Sequence, residues 1–379
     1  MEMPKKVVIV GGGTGGTITA NVLARKVSRE ADIILVSDVS QHIYQPGYLY
    51  RALGEIIDES KIIREERKLL DRRVKLFIDE AVKIDIQNRV VSLMSGKQLE
   101  YDYLVISTGS RIVPEEVSGY EASYHFYSLE GARKLHEALE RFKGGVVAVG
   151  VGGIPYKCPP APAEFCCLLD YYFTRRGIRD RVEIHYLSPL PRTFPHEAVA
   201  EAITEMMERK GIHWHPMFNI ESIDPEKKIV NSLEGESIRF DLLVMVPPHK
   251  GAEVVERSSI GVDGGWIPVD KHTLQYKDYD EVYAIGDATN LPVSKSGAAA
   301  HFEGKMVADR ISSEIMGHEP RATYDGKVLC FCDAGFKKAI YMSFNYENPP
   351  KKPRFSYMWY LGKQIVNRFY WSLILKGYV

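Results

Sequence analysis

The stretch VVIVGGGTGGTITANVLARKV, residues 7–27, limits the possible folds more than any other in the chain. An apolar run, 7–10, meets Gly11-x-Gly13-x-x-Gly16 and passes into a helix-period pattern. Gly11 permits the tight turn and Gly13 lets a pyrophosphate approach the backbone. Gly16 lets the helix pack close to the strand, and Thr14 and Gly15 open that helix, whose N-terminus faces the phosphates. The next apolar run, DIILVSD, ends in Ser37 and Asp38. Asp38 lies twenty-two residues past Gly16, where an acid takes ribose hydroxyls. A glycine turn that only packs would need neither the helix nor the acid. The pattern predicts a parallel α/β sheet that binds a dinucleotide.

Composition narrows the partners. Lys and Arg number 49 against 50 Asp and Glu, so overall charge gives no reason to expect nucleic acid. The near-neutral total hides an uneven distribution: residues 348–379 carry six basic side chains and no acid, and the rest is an acidic body. No window approaches eighteen apolar residues, so no transmembrane helix is expected. MEMPKK is followed at once by the first strand, so no signal peptide is expected either. The five cysteines (158, 166, 167, 330, 332) are few and clustered, unlike a disulfide framework or a zinc site, and no metal is expected.

YDYLVISTGS, 101–110, and EVYAIGDATN, 281–290, are each an apolar strand ending in a glycine turn. With the first turn, they resemble the three ordered signatures of the two-dinucleotide flavoprotein superfamily. That resemblance implies FAD, touched by Thr108 and Gly109 and by Gly286 and Asp287. It also implies an α/β fold of two tandem Rossmann-like domains, glutathione-reductase-like. The FAD domain spans 1–113 and 252–314, and a second unit, 114–251, is inserted in it. A C-terminal segment, 315–379, follows and is expected to associate with a membrane. The second unit's own turn reads GVGGIPYKCPPAPAEFCC, 150–167. Pro155 stands where a third glycine is needed, and Pro155, Pro159, Pro160 and Pro162 remove N–H donors from the phosphate site. The next strand, RVEIHYL, ends without an acid. This unit is expected to bind nicotinamide nucleotide poorly.

PYKCPPAPAEF, LPVSKSG after the Gly-Asp turn, VMVPPH and YDGKVLC are similar to sulfide:quinone oxidoreductases and to the flavoprotein of flavocytochrome c sulfide dehydrogenases. The resemblance implies that Cys158 and Cys330 are a redox pair beside the flavin. It places Pro46 against the isoalloxazine, Lys295 near its pyrimidine end and Val82 at the cofactor. Cys332, two residues from Cys330, is a rival partner, and Cys166 and Cys167 are expected to be core. His196 and Glu164 are candidates for proton traffic, against a surface histidine and a plain helix-start carboxylate. No cysteine precedes Cys158, so the FAD is expected to be non-covalent. A thiol pair suits the chemistry, because hydrosulfide attack on a disulfide sulfur yields a persulfide and frees the partner thiolate.

The last 25 residues hold eight aromatics. A helix over 358–376 would align Leu361, Ile365, Phe369 and Leu373, a stripe suited to the bilayer interface, with Lys363 to one side. Phe331, Tyr357, Trp359 and Phe369 are candidate quinone contacts. The chain thus reads as a peripheral membrane flavoenzyme that passes electrons from sulfide to a membrane quinone, with a homo-oligomer compatible. The rivals are a type II NADH:quinone oxidoreductase, a flavocytochrome c-type dehydrogenase and a non-enzymatic flavin-bound binding protein.

Overall fold

The computed structural model describes residues 3–379. The chain opens with β1 (Lys5–Val10), α1 (Thr14–Val27), β2 (Ala31–Ser37), β3 (Lys75–Ile78) and β4 (Tyr103–Ile106). The second unit contributes β5 (Gly145–Val151), α2 (Ala161–Arg175), β6 (Val182–Leu187), β7 (Ile212–His215) and β8 (Leu242–Val246). The chain then returns with β9 (Gln275–Tyr276), β10 (Tyr279–Ala284) and α3 (Gly297–Ile315). A hairpin of β11 (Val328–Asp333) and β12 (Ala339–Phe344) leads to α4 (Tyr357–Phe369).

The first sheet has the order β9-β10-β4-β1-β2-β3 and the second β7-β6-β5-β8. All pairings are parallel except β9 with β10. Val8 lies between Ile34 and Leu104 in register, so the VVIV run is covered on both faces and is continuously apolar. The two units are joined by an antiparallel ribbon, Ser110–Ile112 with His249–Gly251. A small antiparallel sheet (Ala81–Asp85, Val90–Leu93, Gln98–Glu100) covers one face of the first sheet.

One core joins α2 and the second sheet to the C-terminal hairpin: Phe165, Val149 and Ile184 share it with Cys332, Ile340 and Met342. Cys158 and Cys330 both pack against this core, although 172 positions separate them. Cys166 and Cys167 are buried within it, as a structural role requires. Among the described residues no helix is long and apolar enough to cross a membrane.

Helix α4 departs from the sequence expectation. Ser356 caps it by accepting from the Trp359 N–H, and it ends at Phe369. A wide helical turn, Tyr370–Ile374, follows, and Tyr370 and Leu375 are buried. Leu373 is therefore not on the exposed stripe, which consists of Met358, Leu361, Ile365 and Phe369. The chain turns inward because Tyr370 is polar at its tip and finds buried partners beside α1.

Candidate active site

The first glycine turn is built as its spacing requires. Gly11 has φ +111°, and a Cβ there would lie 2.3 Å from Ser107 O. A Cβ on Gly16 would lie 2.0 Å from Gly11 O, so only glycine lets α1 start against β1. Nothing lies within 4 Å of a Cβ on Gly13, which leaves the turn open on the side a phosphate would use. The first helical bond runs from Thr17 N–H to Gly13 O, so the N–H groups of residues 14–16 have no carbonyl in the helix.

Other groups converge at the carboxyl ends of these strands. Ser37 is buried, its Oγ donating to Val39 O at 2.8 Å, and Asp38 is exposed beside it. Thr108 Oγ1 is buried with no hydrogen-bond partner among the described residues, next to Gly109 at φ +66°. Gly286 N–H donates to Glu303 Oε2 at 2.5 Å, and Asp287 follows, its carboxyl pushed up by burial. Lys295 Nζ donates to Asp287 O at 3.1 Å and Thr289 O at 2.6 Å and sits 3.8 Å from the Trp266 ring centroid. Burial lowers the Lys295 pKa to about 8. Pro46 is exposed at the start of the short helix Gly47–Ala52, and Val82 is half-buried in Ala81–Asp85. The open turn, the unpartnered Thr108 hydroxyl and the buried Asp287 fit a dinucleotide such as FAD.

Cys158 sits in the turn before α2, at φ +53°, a left-handed conformation that strains a non-glycine residue. Its N–H donates to Lys295 O at 2.7 Å, and its carbonyl accepts from Ala161 N–H at 2.8 Å. The thiol is thus tied by backbone to the Gly-Asp side of the first unit. Cys330, on β11, faces Met342 across the hairpin; Cys332 is on the same side of the strand and more deeply buried. Burial pushes the Cys158 thiol well above its ordinary pKa, and a charge on Cys330 or Glu164 would push it further. Burial likewise raises Cys330 to about 11, with Glu164 adding to the rise. Lys363 opposes the shift at both thiols.

Lys363 was not singled out from sequence as a site residue. It is buried on α4 and forms an ion pair with buried Glu164 on α2. Its Nζ lies 5.3 Å from the Tyr50 ring centroid. The available signal was a lone cation in a thirteen-residue helix's otherwise uncharged first three turns. Tyr44 was also missed: its OH donates to Asn367 Oδ1 at 2.5 Å, and its pKa is raised by burial, with Glu164, Cys330 and Cys158 all contributing.

His196 opens the helix Glu197–Arg209 with its ring 4.4 Å from that of Phe344. Phe331 projects to the other side of β11 from Cys330, 5.2 Å from Tyr341. Trp359 stacks on Tyr341 at 4.8 Å, while Tyr357 and Phe369 are exposed.

The second glycine turn differs from the first. Three residues separate β1 from α1, whereas nine separate β5 from α2. A Cβ on Gly152 would meet Val246 O at 3.0 Å and Pro248 Cδ at 3.2 Å. Pro248 therefore fills the space over these glycines. A cleft remains beside the thiol turn, with a cavity of about 380 Å³ lined by Tyr156, Pro159, Trp266, Leu291 and Lys295.

The model of the pyridine nucleotide-disulphide oxidoreductase family matches residues 5–304. The chain belongs to that family. It is 28% identical over 390 residues to a mitochondrial sulfide:quinone oxidoreductase of Dictyostelium discoideum, covering 98% of this chain and 86% of that protein. It is also 28% identical over 395 residues to the Mus musculus protein of that name, covering 98% and 87%. The solved sulfide:quinone oxidoreductase of Aquifex aeolicus superposes with a TM-score of 0.88 at 23% identity, covering 98% of this chain and 92% of that one.

For a pyridine nucleotide-disulphide oxidoreductase, this chain keeps one crevice open and has proline over the other. The thiol turn lies within the nine residues that link β5 to α2, six more than link β1 to α1.

Proposed function

We propose that the protein is an FAD-dependent sulfide:quinone oxidoreductase in which Cys158 and Cys330 form the redox pair. The observation that carries this reading is Cys158: a strained, left-handed thiol, tied to Lys295 and sharing one buried, charge-coupled core with Cys330. Its relatives' names supply the substrates.

With the pair oxidised to a disulfide, hydrosulfide attacks one sulfur. A sulfur–sulfur bond forms to the incoming atom, the Cys–Cys bond breaks and its electron pair leaves on the partner as thiolate. Burial disfavours that thiolate, and Lys363 is the cation that offsets the penalty at both cysteines. The first glycine turn, Asp38, Thr108 and Asp287 would hold FAD, which when bound would supply two-electron redox chemistry between the thiol pair and a quinone. Glu164 accepts the Lys363 hydrogen bond and keeps the ammonium in place. Phe331, Tyr341 and Trp359 offer a quinone aromatic faces between the thiol strand and the exposed stripe of α4, which suits a lipid surface.

Anaerobic sulfide should bleach the flavin band, and a quinone should restore it. Cys158→Ser should retain FAD and lose sulfide-driven bleaching. Undiminished bleaching in that variant would refute the thiol mechanism, and bleaching by NADH would select the type II NADH:quinone reading.

A further inference from the structure

We infer that the segment after α4 is a clasp on the dinucleotide turn, with Tyr370 as the positioning residue that holds Thr14. The inference rests on the FAD reading but not on sulfide as substrate.

The turn Tyr370–Ile374 carries the chain back over α1. Asn21 Nδ2 donates to Leu375 O at 2.8 Å, and Arg25 donates to Gly377 O at 3.2 Å. Gly377 has φ +65°, and a Cβ there would lie 2.5 Å from Val22 Cγ2, so the chain lies flush on the helix. Tyr370 is 6% exposed. Its hydroxyl is 2.7 Å from Thr14 Oγ1 and 2.8 Å from His42 Nε2. His42 Nδ1 is 2.9 Å from Glu66 Oε2, and Thr17 Oγ1 donates to Glu66 Oε1 at 2.7 Å. His42, Glu66 and Thr17 are all at most 2% exposed.

The donors run in one direction. Glu66 accepts from Thr17 and from His42 Nδ1, which in a neutral imidazole leaves Nε2 as an acceptor. The Tyr370 hydroxyl therefore donates to Nε2 and accepts from Thr14. Thr14 is the first residue of α1, in the turn whose N–H groups face the phosphates. Its side chain is held by a group that arrives from 356 residues away. A turn fixed before the cofactor binds loses less freedom on binding. Tyr370 directly follows Phe369, so moving α4 off the body draws the hydroxyl from Thr14. By linkage, cofactor retention and the seating of α4 are coupled.

The test is flavin release from the holoenzyme in urea below the unfolding range, followed by the rise in free-flavin fluorescence. Tyr370→Phe should release flavin about fivefold faster, the effect of one lost buried hydrogen bond. Tyr346→Phe, which removes a bond to Lys271 O at a separate site, should release at the wild-type rate. In the cycle with Thr14→Val, the double variant should be no faster than Thr14→Val alone. Wild-type release in Tyr370→Phe, or additive effects in the cycle, would overturn the clasp. Wild-type protein purified without any flavin would overturn the cofactor reading and the clasp with it.

Discussion

At the scale of single residues, the thiols are held where a free thiolate is unfavourable. A surface cysteine titrates near 8.5, whereas burial holds Cys330 at about 11. At pH 8 only about one Cys330 in a thousand is then thiolate. Reduced protein should therefore be alkylated slowly at this residue. The rate should rise about tenfold per pH unit from pH 8 to near 11, because only the thiolate reacts. Mass analysis of the Cys330 peptide against pH checks this; a plateau by pH 9 would show a thiol activated in the resting state. Cys158, raised further, should lag behind Cys330. The glycine turns were legible because each answers a local demand of the backbone. Lys363 and Tyr44 were not, because their importance lies in partners distant along the chain: Glu164 is 199 positions from Lys363, and Asn367 is 323 from Tyr44.

Between elements, α4 is held to α2 by that one buried ion pair. Lys363→Met removes the cation that counters the burial-raised Glu164 carboxyl, leaving it unpaired in the core, and should cost about 3–5 kcal/mol. Glu164→Leu combined with Lys363→Met should recover most of the loss, since burying neither charge is often neutral. Denaturant unfolding of both variants measures the difference, and equal instability would mean that packing rather than charge joins the helices. The amphipathic stripe was readable from spacing, and three of its four expected members, Leu361, Ile365 and Phe369, are exposed. Its end was not readable. Periodicity continues through Leu373, but the hydrogen bonds waiting for Tyr370 beside α1 break the helix at Phe369.

For the whole molecule, the two Rossmann-like sheets have the same parallel construction, yet only one presents an open glycine turn. Three separate features obstruct the other: Pro155 at the glycine position, Pro248 against Gly152, and a helix that starts six residues later after its strand than α1 does. Pro155 and the missing acid were visible in the sequence. Pro248 was not, since its contact depends on how β8 lies beside β5. NADH in large molar excess should leave the flavin band of the purified protein unchanged, and Pro248→Gly should not alter that. The late start of α2 directs its N-terminus toward the Cys158 turn, so removing one proline restores no phosphate site. Bleaching of Pro248→Gly by NADH would show that the proline alone closes the crevice, and that the nicotinamide site is latent rather than replaced by the thiol turn.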